Sequence, residues 1–195
     1  MDAPRTLLIA CGALARETLA AIEANGLAHV DVTCVSALLH NRPERIAGAV
    51  RAKIREHRAV YARILVLYGD CGTRGELDRV LAEEGVERID GPHCYAFYAG
   101  QPVFDALADA EPGTFYLTDF LARQFDTLII EGLGIDRHPE LLPMYFGNYR
   151  RLIYLAQTED AELQAAARAA AERLGLAYEY RFTGLGELAD FVGTA

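Results

Sequence analysis

The chain has 195 residues, 52 % of them hydrophobic and 24 % charged, which is enough to bury a sizeable core in an ordinary globular α/β fold. A formal net charge of −9 argues against a nucleic-acid backbone as partner, because that needs clustered Lys and Arg. No apolar run approaches the roughly 20 residues needed to cross a bilayer. Met1-Asp2-Ala3-Pro4 runs straight into a strand, so no secretory leader is expected. The expected location is therefore cytoplasmic, where disulfides rarely persist, and the four cysteines read as free thiols, reactive groups or metal ligands.

In chain order, Thr6 to Ala10 reads as a buried strand, followed by Cys11-Gly12 and a helix from about Ala13 that stops at Asn25-Gly26. His29 to Val35 alternates and reads as a second strand. Ser36 to Arg42 then leads to Pro43, which is placed to start a helix over about Glu44 to Arg58. That helix carries Arg45, Arg51, Lys53, Arg55 and Arg58, and they read as a solvated face. Ile64 to Tyr68 is a continuous apolar run ending in Gly69-Asp70-Cys71-Gly72, again a buried strand feeding a helix, here one that reaches Glu84 and stops at Gly85. This spacing predicts Cys71 at a helix N-terminus, where unpaired N–H groups lower a thiol pKa.

Val86 to Ile89 reads as a short strand, and Asp90-Gly91-Pro92-His93-Cys94-Tyr95 as a turn that opens a helix. Thr114 to Phe125 reads as helical, and Asp126 to Ile130 as a strand or a continued helix. Gly132 to Pro139 is a glycine-punctuated loop. Leu152 to Ala156 is a strand, Asp160 to Leu174 an alanine-rich helix stopped by Gly175, Ala177 to Phe182 a strand and Gly186 to Phe191 a terminal helix. Strands alternating with helices predict one domain over 1–195: a doubly wound, largely parallel sheet with helices on both faces, Rossmann-like in three layers. In such sheets ligands bind beyond the C-terminal strand ends.

Cys11, Cys71 and Cys94 each follow a strand toward that edge. Three thiolates with one open position suit zinc or an iron–sulfur cluster of the 4Fe–4S type. No Cys-x-x-Cys pair certifies a metal, and a small buried thiol in the core is the competing reading for each. Cys34, inside an alternating strand, reads as structural. His93 and His40 are candidates for acid/base work or an extra ligand, and Asp70 for holding a histidine or accepting a proton, with local capping the equal alternative. His138, Tyr145 and Asn148 are candidates for binding a small-molecule substrate. Gly132-Leu133-Gly134 lacks the third glycine of a dinucleotide fingerprint, and no phosphate loop is present, so no nucleotide cofactor is expected.

Ala10-Cys11-Gly12-Ala13-Leu14, Leu38 to Pro43, Tyr68-Gly69-Asp70-Cys71-Gly72 and Gly91-Pro92-His93-Cys94-Tyr95 resemble a bacterial and archaeal family, domain of unknown function 1638. Phe115 to Phe120, Asp136 to Leu141 and Met144 to Tyr149 resemble it as well. The resemblance departs at Ala96, often Glu in the family, and at Leu185, often aromatic. It carries no activity. It implies an association with corrinoid methyl-transfer systems, and so a corrinoid-protein or methyltransferase partner. Three readings follow: a metal-dependent small-molecule enzyme, linked through the resemblance to methyl or sulfur metabolism; a non-catalytic accessory or metal-delivery protein; and a metal-free enzyme with Cys71 as nucleophile and His93 as base. Self-association into a homo-oligomer is compatible with each.

Overall fold

A computed structural model describes residues 4–195, and the leaderless start read at Met1–Ala3 lies outside them. The first compact unit runs up to Phe97 and takes in Leu185–Ala195; the second is Tyr98–Gly184.

In the first unit the elements are β1 (Thr6–Cys11), α1 (Ala15–Ala24), β2 (Val30–Val35), α2 (Ile46–His57), β3 (Arg63–Leu67), α3 (Glu76–Glu84), β4 (Glu87–Arg88) and the start of α4 (Cys94–Ala99), up to Phe97. The strands form one sheet in the order β2-β1-β3-β4. Both neighbours of β1 are parallel, with Ala10 opposite Cys34 on one side and Leu67 on the other. A central strand is covered on both faces, which is why all six residues of β1 are buried and its sequence does not alternate. β2, at the sheet edge, is buried only at its two end residues, Val30 and Val35. The chain leaves β1 toward β2 on one side and reaches β3 on the other, so the crevice beyond β1 and β3 is the topological switch point of this sheet.

The basic residues of α2 do not form a free patch. Glu84 accepts from Arg55 at 2.8 Å and from Arg58 at 3.0 Å, and Arg51 pairs with Glu83, so α2 is tied to α3 by ion pairs.

In the second unit the elements are α5 (Gln101–Ala110), β5 (Thr114–Leu117), α6 (Asp119–Arg123), α7 (Leu142–Phe146), β6 (Arg151–Ala156), α8 (Ala161–Leu174) and β7 (Ala177–Phe182), with the sheet in the order β5-β6-β7. The final helix, α9 (Gly186–Gly193), belongs to the first unit and packs on α1. Asp160 caps α8 by accepting from the N–H groups of Glu162 and Leu163, and Gly175 ends it in the left-handed region at φ 70°. Every strand pairing among the described residues is parallel, and helices flank both sheets, which agrees with the Rossmann-like α/β expectation. No helix of the described residues is long and apolar enough to cross a membrane.

Two local readings change. Thr114 to Leu117 is a strand where a helix was expected, because Thr-Phe-Tyr suits a pleated surface and β6 offers its edge; the helix begins after Thr118, whose hydroxyl caps it. Asp126–Glu131, open between strand and helix, is a π-helical turn.

At the C-terminal ends of β5 and β6 the fully buried Asp119 carboxylate accepts from Tyr154 Oη at 2.7 Å, Gln157 N at 3.0 Å, Thr158 N at 3.1 Å and Thr158 Oγ1 at 2.6 Å. In return Asp119 N–H donates to Gln157 Oε1 at 2.8 Å. A buried carboxylate with all its lone pairs used locks the two strand ends together, and removing it orphans several donors at once. Asp119→Ala is expected to lower the unfolding free energy by about 3 kcal/mol, with Asp119→Asn recovering part of the loss. Urea unfolding of the two variants beside wild type checks this, and a loss near zero for Asp119→Ala contradicts it.

Candidate functional site

Four chain segments leave the C-terminal edge of the first sheet. Cys11, the last residue of β1, is 3 % exposed. Its Sγ accepts from Ala13 N–H at 3.4 Å and caps the short 3-10 turn Gly12–Leu14. A Cβ on Gly12 would lie 3.3 Å from Val35 O and 3.4 Å from Ala37 N, so glycine lets the exit of β2 pass directly over β1's end. There Ser36 Oγ accepts from Leu38 N–H at 3.3 Å and opens the 3-10 turn Ala37–Asn41, which carries His40.

β3 exits through Tyr68, which is fully buried, and Gly69. A Cβ on Gly69 would fall 3.0 Å from His93 Cα and 3.1 Å from both His93 N and Pro92 C, tighter than nearly all real Cβ contacts. The loop after β3 therefore lies flat on the loop after β4, and backbone bonds fasten them: Asp70 N–H to Gly91 O at 3.3 Å and Cys71 N–H to Pro92 O at 2.9 Å. This brings Cys71 beside His93-Cys94.

Helix α3 does not begin at Cys71. Cys71 and Arg74 have φ of 46° and 56°, with Gly72 and Gly75 also left-handed, and the helix opens at Glu76. The intervening loop is held by Asp70, whose carboxylate accepts from Thr73 Oγ1 at 2.7 Å, Gly75 N at 2.8 Å and Arg74 N at 3.1 Å. Burial works to raise the Asp70 pKa, but these hydrogen bonds outweigh it and hold the carboxyl below its ordinary value. Of the roles open to Asp70, local anchoring is the one its geometry fills.

The thiols are perturbed upward, opposite to the helix N-terminus expectation. Burial, less the relief from Ala13 N–H and Tyr68, pushes Cys11 to about 11. Burial, then the neighbouring Cys11 thiol, pushes Cys71 to about 12. Cys94 is driven well above its usual value by burial, then by Cys71 and Cys11, with Glu17 adding to the effect. Each of the three thus feels the other two or is felt by them, and Tyr68, whose pKa is raised by burial first, feels all three. The Tyr68 hydroxyl is buried without a well-formed hydrogen bond, and the Cys11 thiol is its neighbour. Sequence reasoning did not single out Tyr68 or the buried Glu17 of α1; a tyrosine closing an otherwise aliphatic strand was the available signal.

His40 stacks on Tyr68, ring centroids 5.6 Å apart and planes 16° from parallel. Burial of that face lowers its pKa, partly offset by the Ala37 carbonyl, and burial likewise lowers His93, with Asp70 opposing and His40 reinforcing. Both imidazoles are therefore neutral at pH 7. Among the described residues, no three Cys, His, Asp or Glu side chains stand as a ready-made metal cage. Cys34 is exposed on β2.

His138, Tyr145 and Asn148 belong to the second unit. Tyr145 and Asn148 share an open pocket of about 370 Å³ with Pro112, Gly113 and Tyr149, at the N-terminal ends of β5 and β6. His138 is exposed and its Nδ1 lies 3.3 Å from Glu140 Oε1.

Fold and site together define a parallel α/β protein with a thiol-rich centre at the switch point of its first sheet. The chain belongs to the DUF1638 family, proteins of unknown function, whose sequence profile matches residues 34–192. His40, Cys71, His93 and Cys94 lie within the match, and Cys11 precedes it. No curated protein matches the chain.

Two outcomes are expected for the metal-free protein. Iodoacetamide should alkylate Cys34 first, while Cys11, Cys71 and Cys94 react slowly at pH 7 and speed up about tenfold per pH unit as their thiolates form; peptide mass mapping against time reads the order. For Asp70, a folded pKa held below the unfolded one gives stability that is present above the unfolded value, and is lost as pH falls through the folded value. Asp70→Asn should therefore lower the urea midpoint at pH 7 and leave a smaller difference from wild type near pH 3.

Proposed function

We propose that the protein is a metal-dependent small-molecule enzyme, with Cys11, Cys71 and Cys94 holding zinc or an iron–sulfur cluster. The observation that carries this reading is convergence. Thiols from three separate strand-end loops bear on one another's ionisation in a buried space that also takes in the Tyr68 hydroxyl beside Cys11.

The donor set is chemically suited to a soft or borderline ion, since three thiolates suit zinc or iron. Their pKa values weigh in the same direction. A thiol at about 12, as Cys71 is, is ionised to only about one part in a hundred thousand at pH 7, so it is a poor free nucleophile, whereas a bound cation supplies the charge that lets buried thiols lose their protons together. This argues against a metal-free Cys71 nucleophile. As they stand the thiols do not form a closed ligand set, so gripping an ion requires their side chains to turn.

When bound, such a group supplies Lewis-acid polarisation at an open position. The chain's own residues do the rest. Gly69 and the Asp70 anchor keep Cys71 against Cys94, Tyr68 offers a buried hydroxyl to whatever sits among the sulfurs, and His40 and His93, both neutral, are fit to accept protons. The substrate is a small polar molecule, and one bearing sulfur or a transferable methyl group matches a thiolate-held centre best.

Anaerobic purification, iron–sulfur reconstitution or zinc addition, and metal analysis test the reading. About one equivalent of zinc or one cluster per chain is expected, lost in Cys71→Ala and retained in Cys34→Ala. Wild-type protein that takes up neither, while folded by circular dichroism, ends it.

A further inference from the structure

We propose that His40 supplies the basic nitrogen of this site, through Nε2, and that His93 does not. The proposal rests on the thiol-site reading above and sharpens it, since that reading leaves the two histidines interchangeable.

His40 Nδ1 lies 2.9 Å from the Ala37 carbonyl oxygen. A carbonyl can only accept, so Nδ1 carries the proton and donates it. In a neutral imidazole the remaining nitrogen, Nε2, then keeps its lone pair free for a proton or an ion. An imidazole that donates one N–H to a backbone carbonyl and offers the other nitrogen is the arrangement that fixes a ligating or proton-accepting histidine. The ring's attitude is fixed as well. One face lies on Tyr68, the residue whose hydroxyl end feels all three thiols, so His40 and the sulfurs lie around a single buried ring.

The turn beneath His40 is equally constrained. Ser36 caps it, Arg42 N–H donates to Leu39 O at 2.8 Å, and the close approach of Gly12 to Val35 O and Ala37 N fixes its start. One face of the His40 ring is covered by Tyr68, while the residue as a whole stays exposed and so can be reached by an incoming molecule. His93 is placed differently. Its backbone is pressed against Gly69, and its ring leans on Tyr95, with centroids 6.1 Å apart and planes tilted by 44°.

The test uses full-length 15N-labelled protein with zinc as the probe. In metal-free protein at pH 7, long-range 1H–15N correlation should show His40 protonated at Nδ1 and bare at Nε2. On adding zinc the His40 Nε2 resonance should move and that of His93 should not. Zinc affinity should fall at least about tenfold in His40→Ala and stay within about twofold in His93→Ala. A metal-free His40 protonated at Nε2 overturns the proposal. So does zinc that binds wild type tightly while perturbing His93 alone, and in both cases the thiol-site reading survives. Zinc that fails to bind wild type at all overturns both. The wild-type spectra decide the matter even if a variant fails to fold.

Discussion

Everything at the switch-point edge depends on how closely two loops can approach. The segment after β3 and the segment after β4 touch backbone to backbone at Gly69 and His93, with no side chain between them. That contact costs only the conformational freedom of one glycine, and it brings the Cys71 N–H onto the Pro92 carbonyl. A methyl group at position 69 would push the loops apart by a few tenths of an ångström or more, and with them Cys71 from Cys94. Gly12 does the same between β1 and the exit of β2. The two glycines flanking the cysteine motifs are spacers that let separate strand ends share one small volume.

Crowding of that kind has an electrostatic consequence. Three thiols removed from water and close to one another resist ionisation, because each thiolate would be poorly solvated and would repel the next. The hydrogen bonds available to them, from Ala13 N–H to Cys11 for example, are too few to reverse this. Burial and mutual proximity thus favour the protonated form of all three thiols. On the metal-centred reading proposed above, ion binding releases protons and so tightens as pH rises.

Much of this was legible in the amino-acid sequence. Continuous apolar runs gave β1 and β3 as central strands, and the glycines and cysteines at their ends marked the edge where the three thiols come near one another. What the sequence hid were features set by local backbone geometry or by distant packing. Cys71 reads as the start of a helix, yet four left-handed residues, Cys71, Gly72, Arg74 and Gly75, delay the helix to Glu76 and take the thiol away from its dipole. Thr114 to Leu117 forms a strand because β6 lies ready to pair with it, a long-range partner that no window of sequence contains. Tyr68 looked like one more apolar residue of a strand, and its importance comes from the sulfurs gathered about its hydroxyl. Tyr145 and Asn148 do share a pocket, at the N-terminal ends of their strands rather than the C-terminal ends where parallel sheets gather ligands.

The division of labour among the polar groups follows from what each has left to give. Asp70, a natural choice for proton transfer next to a reactive thiol, has both oxygens committed to holding the loop that carries Cys71, and its depressed pKa makes it a weaker base still. Glu17 is buried on α1 and adds, after burial and the two neighbouring thiols, to the upward push on Cys94. The Tyr68 hydroxyl, pushed far up in pKa, can donate a hydrogen bond but does not ionise at working pH. On the reading proposed above, proton transfer at this edge therefore falls to His40, whose pKa burial lowers. On that reading, a pinned carboxylate for structure, a neutral ring for proton movement and thiols that ionise only against a cation together make a site that stays quiet until it is loaded.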